Sequence, residues 1–279
     1  MNKIAARFAS VIIGVFLFMS SAIPAGAIQN GEFDFNEHPY VCLVVFYDQA
    51  GRPLWRTTGS LLSPTVVLTA GHGTSGTSTA KVWFLNRITA GSGYPYGGGI
   101  NSYAGMPRTI EGYSSQNSGG LPRFDYHDVG LVILNSPVPA RVVSQYAALP
   151  AEGLIDTLPM MSAVDLVGYG VTSQEKGKGI APADSWLWDR QRNSAPANLV
   201  TSNGVLSSEF LKITANPAKN RGGATFGDSG GPVLFAGTNV ILGINSFVNN
   251  PNCDGVTYAQ RLDLPDILDW IHEFLDPSG

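Results

Sequence analysis

Cysteine, histidine and charge are all scarce in this 279-residue chain, which has two cysteines, four histidines and 14% charged residues beside 33 glycines. The two cysteines, Cys42 and Cys253, exclude a disulfide-rich scaffold; they either form one bridge in an oxidising compartment or stay as thiols. No group of Cys, His, Asp or Glu has recognisable ligand spacing, so no metal or organic cofactor is expected. The net charge of -4 argues against nucleic acid as a partner. There is no repeat at a fixed short period, and Gly97-Gly98-Gly99 lacks the strand-turn-helix setting of a phosphate loop.

Long apolar runs are missing too, with one exception. Residues 8–19 form an apolar stretch that follows Lys3 and Arg7 and precedes Ala25-Gly26-Ala27, small residues at the positions a signal peptidase reads. The stretch is short for a membrane span, so 1–27 reads as a secretory signal, the mature chain as 28–279, and no stable membrane association is expected once the signal is removed. Loss of the two cations Lys3 and Arg7 takes the formal charge from -4 to -6.

The rest reads as all-β. Short apolar runs between glycine, proline and serine clusters predict strands near 40–46, 61–69, 81–85, 129–134, 163–167, 211–215, 232–235 and 240–244. Strand character is lost over 137–158. Residues 264–275 place Ile267, Leu268, Ile271, Phe274 and Leu275 at helical spacing ahead of Pro277, which predicts a C-terminal packing helix. Two stretches read as loops. The first, 90–120, is rich in Gly, Ser and Tyr and reads as a flexible surface insertion; the second, 172–199, carries Lys176, Lys178, Arg190 and Arg192 and is either a solvated charged loop or an edge of a substrate cleft.

Chemistry concentrates in Gly227-Asp228-Ser229-Gly230-Gly231-Pro232. Glycines on both sides of a serine let the backbone turn so that the N–H groups of Gly227 and Ser229 converge on a developing oxyanion. A serine needs a base and a carboxylate to orient that base. Of the four histidines, His38 and His272 suit surface or packing roles, whereas His72 ends the apolar run 61–70 between Gly71 and Gly73. Asp128 directly precedes an apolar strand and will be drawn inside, where it needs a hydrogen-bonding partner; His127 and Asp125 are its neighbouring rivals.

Together Thr69-Ala70-Gly71-His72, Asp128-Val129-Gly130-Leu131 and the serine motif resemble the chymotrypsin/trypsin-like serine peptidases, family S1, in the family's order. Ile28-Gln29-Asn30-Gly31 is similar to the family's mature N-terminus, Val167-Gly168-Tyr169-Gly170 to its strand-end motif, and Leu242-Gly243-Ile244-Asn245-Ser246-Phe247 to its substrate-binding strand. The resemblance implies two six-stranded antiparallel β-barrels with a C-terminal α-helix, an N-terminal barrel over about 28–136, a linker over about 137–158 and a second barrel with the helix over about 159–279.

It also implies a secreted, monomeric serine endopeptidase acting on polypeptides, with Ser229 as nucleophile, His72 as base and Asp128 orienting the imidazole. Asp228 would pair with the α-ammonium of Ile28. No basic residue lies between Arg7 and Ile28, so signal removal after Ala27 would itself create that ammonium. Gly223 falls where trypsin-like members carry a pocket-floor aspartate, which argues against Arg or Lys specificity; Val248 and Thr257 align with the pocket walls and suit small aliphatic side chains. Gly73 replaces the cysteine that animal members place after the histidine. With the low cysteine count, this suits a bacterial exported enzyme. The alternative is a catalytically silent pseudoprotease, a binding module on the same fold.

Overall fold

The computed structural model describes residue 28 and residues 30–116, 124–175, 185–201, 208–215, 222–248, 253 and 255–275. The expected signal, 1–27, and Lys176 and Lys178 lie outside the described residues.

After a short strand β1 (Glu32–Phe33), the chain forms β2 (Val41–Tyr47), β3 (Pro53–Ser63), β4 (Val66–Thr69), a helical turn α1 (Gly71–Thr74), β5 (Thr79–Trp83), β6 (Ser102–Thr109), a small hairpin of β7 (Ser114–Gln116) and β8 (Phe124–Tyr126), and β9 (Gly130–Leu134). Six of these close a barrel in the order β2-β3-β4-β9-β6-β5. Residues 135–162 then cross over with a single 3-10 turn, Leu154–Thr157, and no strand. Beyond them come β10 (Ala163–Gly168), a second small hairpin of β11 (Ser173–Glu175) and β12 (Ser185–Leu187), then β13 (Asn193–Thr201), β14 (Phe210–Ala215), β15 (Pro232–Phe235), β16 (Ile241–Val248), β17 (Gly255–Arg261) and the helix α2 (Pro265–Leu275). The order β13-β10-β15-β16-β17-β14 closes on itself because β13 also pairs with β14, and β1 adds to the outside of β13. All pairings within both barrels are antiparallel.

The apolar pattern explains where the cores sit. Every residue of β2 is buried, since one face fills the first barrel and the other meets the second, where Val167, Tyr169 and Ile244 join the same cluster. The second barrel has its own core, built on Val164, Leu166, Leu199, Leu211, Ile213, Val233 and Leu242. In α2, Ile267, Leu268 and Ile271 are buried, as the helical spacing predicts, and Ile267 and Ile271 pack into the cluster that joins the barrels.

Four expectations are corrected. The run 61–69 is not one strand: Pro64 turns it, and β4 folds back on β3 with Leu61 opposite Val67. The insertion 90–120 contributes a barrel strand, β6, which pairs with both β5 and β9. Gly105 and Pro107 in Ser102–Thr109 hide its strand character from pattern reading, yet a Cβ on Gly105 would lie 2.6 Å from Ile133 O, so the close strand approach demands the glycine. The stretch 172–199 likewise contains most of β13, and its Arg192 is wholly buried. Cys42 and Cys253 do not form a disulfide: Cys42 is on β2 in the first barrel's core and Cys253 precedes β17 of the second, both buried.

Arg192 anchors a polar node between the barrels. Its Nε donates to Asp34 Oδ2 at 2.7 Å, Nη1 to Val41 O at 2.8 Å and Nη2 to Asn36 Oδ1 at 2.8 Å. Asp34 also takes His38 Nδ1 at 2.5 Å. Burial alone would raise the Asp34 carboxyl, but His38 and Arg192 outweigh it and hold the group below the usual carboxylate range. Arg192→Leu leaves that buried carboxylate with His38 alone and should cost about 3–5 kcal/mol by thermal or urea unfolding. The double variant Arg192→Leu/Asp34→Leu should recover much of the loss; if the two losses simply add, the pair is not the coupling unit described here.

Candidate active site

His72 lies on α1, directly beyond β4. Its main-chain N–H donates to Asp128 Oδ1 at 2.7 Å, and its Nδ1 sits 2.9 Å from Oδ2 and 3.1 Å from Oδ1 of the same carboxylate. Asp128 is fully buried two residues before β9; its own N–H donates to Gln260 Oε1 at 3.0 Å, and Ser246 Oγ donates to its Oδ2 at 2.5 Å. Burial would raise this carboxyl, yet the adjacent imidazole and the hydrogen bonds from His72 and Ser246 prevail and keep it ionised, below its ordinary value. Its rivals stand elsewhere. His127 Nε2 bonds Asp266 Oδ2 at 2.9 Å, and Asp125 is on the β7–β8 hairpin opposite Ser115. His38 belongs to the Asp34 node, and His272 is on the exposed side of α2.

Ser229 comes from the other barrel, on the turn before β15. Gly227 and Gly230 adopt φ of +99° and +75°, and a Cβ on Gly230 would fall 2.3 Å from Thr69 Oγ1. Only glycine brings the turn this close to the strand leading to His72. The turn is tied down by Thr58 N–H to Ser229 O at 2.9 Å, Thr58 Oγ1 to Gly227 O at 2.9 Å and Gly230 N–H to Asn245 O at 2.7 Å. The N–H groups of Asp228, Gly230 and Gly231 are all taken, whereas those of Gly227 and Ser229 make no hydrogen bond among the described residues. That is the pair the sequence assigns to an oxyanion.

Asp228 is buried beneath the turn. Thr225 donates to its Oδ2 through both N–H (2.9 Å) and Oγ1 (2.8 Å), Gly170 N–H donates to Oδ1 at 2.7 Å, and Ile28 donates through its main-chain N–H. A Cβ on Gly170 would meet Oδ2 at 2.4 Å, which explains the glycine of the Val167-Gly168-Tyr169-Gly170 motif. Ile28 is fully buried against the second barrel's core and is held at φ +65°, a left-handed conformation that a β-branched residue strongly disfavours.

Ser229 and His72 line one cleft of about 330 Å³ with Ala224, Thr225, Phe226, Asn245, Ser246, Phe247 and Val248. Of the expected pocket residues, Val248 and Phe247 line it, and Phe247 is stacked on Tyr258 at 4.7 Å. Ser246 lines it too, but its hydroxyl serves Asp128. Gly223 is buried outside the lining, and Thr257 stands behind the wall, its Oγ1 accepting Ala224 N–H at 2.9 Å. Sequence reading missed Thr58, Thr225 and Gln260, whose contacts form only in the fold, and it placed Asn245 in the substrate-binding strand without a role of its own. It also missed Arg56, which stacks on Trp188 at 4.0 Å with Nε 3.7 Å from where a Gly227 Cβ would be. A larger depression of about 770 Å³, lined by Glu37, His38, Tyr40 and Asp165 among others, contains none of these groups.

Two closed barrels with a serine turn from one facing a histidine and a buried carboxylate from the other define the chymotrypsin-like class. The chain belongs to the trypsin family, whose model matches residues 29–271. Among solved structures it is similar to HL collagenase (TM-score 0.61, 18% identity, covering 85% of this chain and 94% of that one) and to human heparin binding protein (TM-score 0.59, 17% identity, 89% and 97%). At these identities the likeness is one of fold. No curated protein matches the chain. Family membership supports a peptidase of the serine endopeptidase class, with polypeptides as substrates.

In this chain Ile28 still follows Ala27, and the four groups holding Asp228 are uncharged. Burial first of all therefore pushes the Asp228 carboxyl up, to about 6, against the opposing hydrogen bonds. A carboxyl raised above its unfolded value binds its proton more tightly when folded. The stability it contributes is present below about pH 4 and is lost as the pH rises through about 6. In the uncut chain, Asp228→Asn should gain on wild type in melting temperature between pH 5 and pH 8. A difference that does not change with pH would refute the assignment.

Proposed function

We propose that the protein is an exported serine endopeptidase in which Ser229, His72 and Asp128 form the catalytic triad. The observation that carries this reading is the buried Asp128 carboxylate, which grips both the ring and the main chain of His72 inside the cleft that also holds Ser229. With Nδ1 on Asp128, the imidazole presents Nε2 to the serine. Ser229 Oγ attacks the scissile carbonyl and passes its proton to His72, and the tetrahedral oxyanion takes the N–H groups of Gly227 and Ser229. The proton then goes to the departing amine, leaving an acyl-enzyme. Water, deprotonated by the same imidazole, releases the acid and regenerates Ser229. Activity should rise with pH as His72 deprotonates and hold into the mildly alkaline range.

Processing after Ala27 completes the site in this reading. The cut turns the Ile28 amide already on Asp228 into an ammonium, supplying the missing charge. It also abolishes the φ constraint on Ile28, relieving strain of about 1–3 kcal/mol. The composition and the junction at Ile28 suit a bacterial secreted monomer. In the substrate pocket, the absence of a carboxylate at Gly223 disfavours Arg and Lys, and Val248, narrowing one wall, by itself favours a small aliphatic side chain.

Intact mass spectrometry of the secreted protein before and after a fluorophosphonate probe tests this. One adduct on a chain beginning at Ile28 and none on Ser229→Ala is the expected result. A folded chain that begins at Ile28 and takes no adduct would instead be a binding module. Asp128→Asn should keep the fold and lower kcat about 10⁴-fold, because the imidazole loses its orienting acceptor; a loss under tenfold would remove Asp128 from the triad.

A further inference from the structure

We propose that Asn245 reads the side chain preceding the scissile bond and selects a primary carboxamide, glutamine or asparagine; this rests on the peptidase reading above. Asn245 is only 2% exposed and lines the cleft beside Ser229, yet neither its Nδ2 nor its Oδ1 has a hydrogen-bond partner among the described residues. A buried amide with both its donor and its acceptor unpaired is rare in a native structure and calls for an explanation. Here the residue is fixed in place: its N–H donates to Gly231 O at 2.9 Å, and its C=O accepts Gly230 N–H at 2.7 Å. Ser246, the next residue on β16, sends its hydroxyl to Asp128. β16 bulges between Asn245 and Phe247, so strict alternation is broken there, and Asn245, Ser246, Phe247 and Val248 all line the cleft.

The chemistry of that wall sets the ligand. Asn245 offers one donor and one acceptor side by side, whichever way its amide is turned, and the group that answers both at once is another primary amide. Apart from His72, the described residues that line the cleft with Asn245 are Ala224, Thr225, Phe226, Ser229, Ser246, Phe247 and Val248, none of them charged. Thr225 Oγ1 is already engaged with Asp228 Oδ2 and Val171 O, and Ser246 Oγ with Asp128. A carboxylate would set an oxygen against Asn245 Oδ1, with no Lys or Arg among the described lining residues to compensate it. An aliphatic chain would bury the Asn245 amide unanswered. The small aliphatic preference read from Val248 and Thr257 therefore gives way to a polar one, with Thr257 occupied behind the wall by Ala224 N–H.

The test uses protein secreted from the full-length sequence and peptides identical except at the residue before the scissile bond. Gln is paired with Met and Glu, and Asn with Leu and Asp; Ala, Val and Arg complete the panel. A site that hydrogen-bonds its substrate rejects the analogue that cannot, so kcat/KM for Gln over Met, or for Asn over Leu, should be on the order of a hundredfold or more, with the acids also slower. The larger of the two ratios identifies the residue. Asn245→Leu should bring that ratio to one or below, and the isosteric Asn245→Asp should lower it if the leucine variant does not fold. Cleavage with Met, Leu, Ala, Val, Arg or an acid equal to or faster than the amides overturns the inference and leaves the peptidase standing. No cleavage of any peptide, together with no fluorophosphonate adduct on a chain beginning at Ile28, overturns both.

Discussion

A buried carboxyl group held only by uncharged hydrogen-bond donors organises the half of this molecule that carries Ser229. Asp228 lies under the turn that carries Ser229, and its four hydrogen-bond donors come from three places far apart in sequence: Thr225, Gly170 and Ile28. Each of them constrains something else. Gly170 and Gly168 must lack side chains, because a Cβ on either would lie within 2.4 Å of the carboxylate oxygens. Thr225 spans from Val171 to Asp228 and so fixes the strand end to the turn. Ile28 brings the start of the described chain into the second barrel's core. Moving Asp228 would therefore move the two N–H groups proposed to hold the oxyanion.

The site itself straddles two barrels, and a set of hydrogen bonds holds their register. Thr58 on β3 is the clearest member: its N–H, its hydroxyl and its carbonyl reach Ser229 O, Gly227 O and Thr69 Oγ1. Gln260 and Ser246, from β17 and β16, reach back across to Asp128. The Ser229 turn is thus anchored to the first barrel and the Asp128 carboxylate to the second. For the proposed peptidase these ties would fix the turn and the carboxylate before substrate binds, and such preorganisation is where electrostatic catalysis gains most. The Asp34–Arg192–His38 node performs the same joining work on another side of β2, near Val41.

Much of this was legible in the sequence for a physical reason. The residues proposed for direct chemical roles sit in short, locally determined contexts: a glycine-flanked serine, a histidine ending an apolar run, an aspartate opening one. Four strands of the second barrel, β10, β14, β15 and β16, and the C-terminal helix announced themselves through apolar periodicity, whereas β13 and β17 did not. What stayed hidden was whatever depends on distant neighbours. β6 reads as a loop because Gly105 and Pro107 break the pattern, although close strand packing requires the glycine. Arg192 reads as solvated because nothing local reveals Asp34, 158 residues away. Asn245 sat in a motif already read as substrate-binding, but only the packed wall reveals that its amide is buried and unanswered.

The lack of disulfides poses one more physical question, because the loop after His72 must stay in place without a covalent tie. Trp55 Nε1 donates to Gly73 O at 2.9 Å, Ser75 N–H closes the helical turn on Gly71 O at 2.9 Å, and Thr74 Oγ1 bonds Thr109 on β6 at 2.7 Å. The Thr57 methyl lies 3.1 Å from where a Gly73 Cβ would stand, so any residue larger than glycine would crowd β3. Hydrogen bonds and one tight packing contact thus do locally what a bridge would do. A bridge stabilises mainly by restricting the unfolded chain, whereas these contacts act only in the folded state. Their benefit therefore depends on the surrounding barrel being intact, and the orientation of His72 is coupled to the folding of the whole first barrel rather than to a local staple.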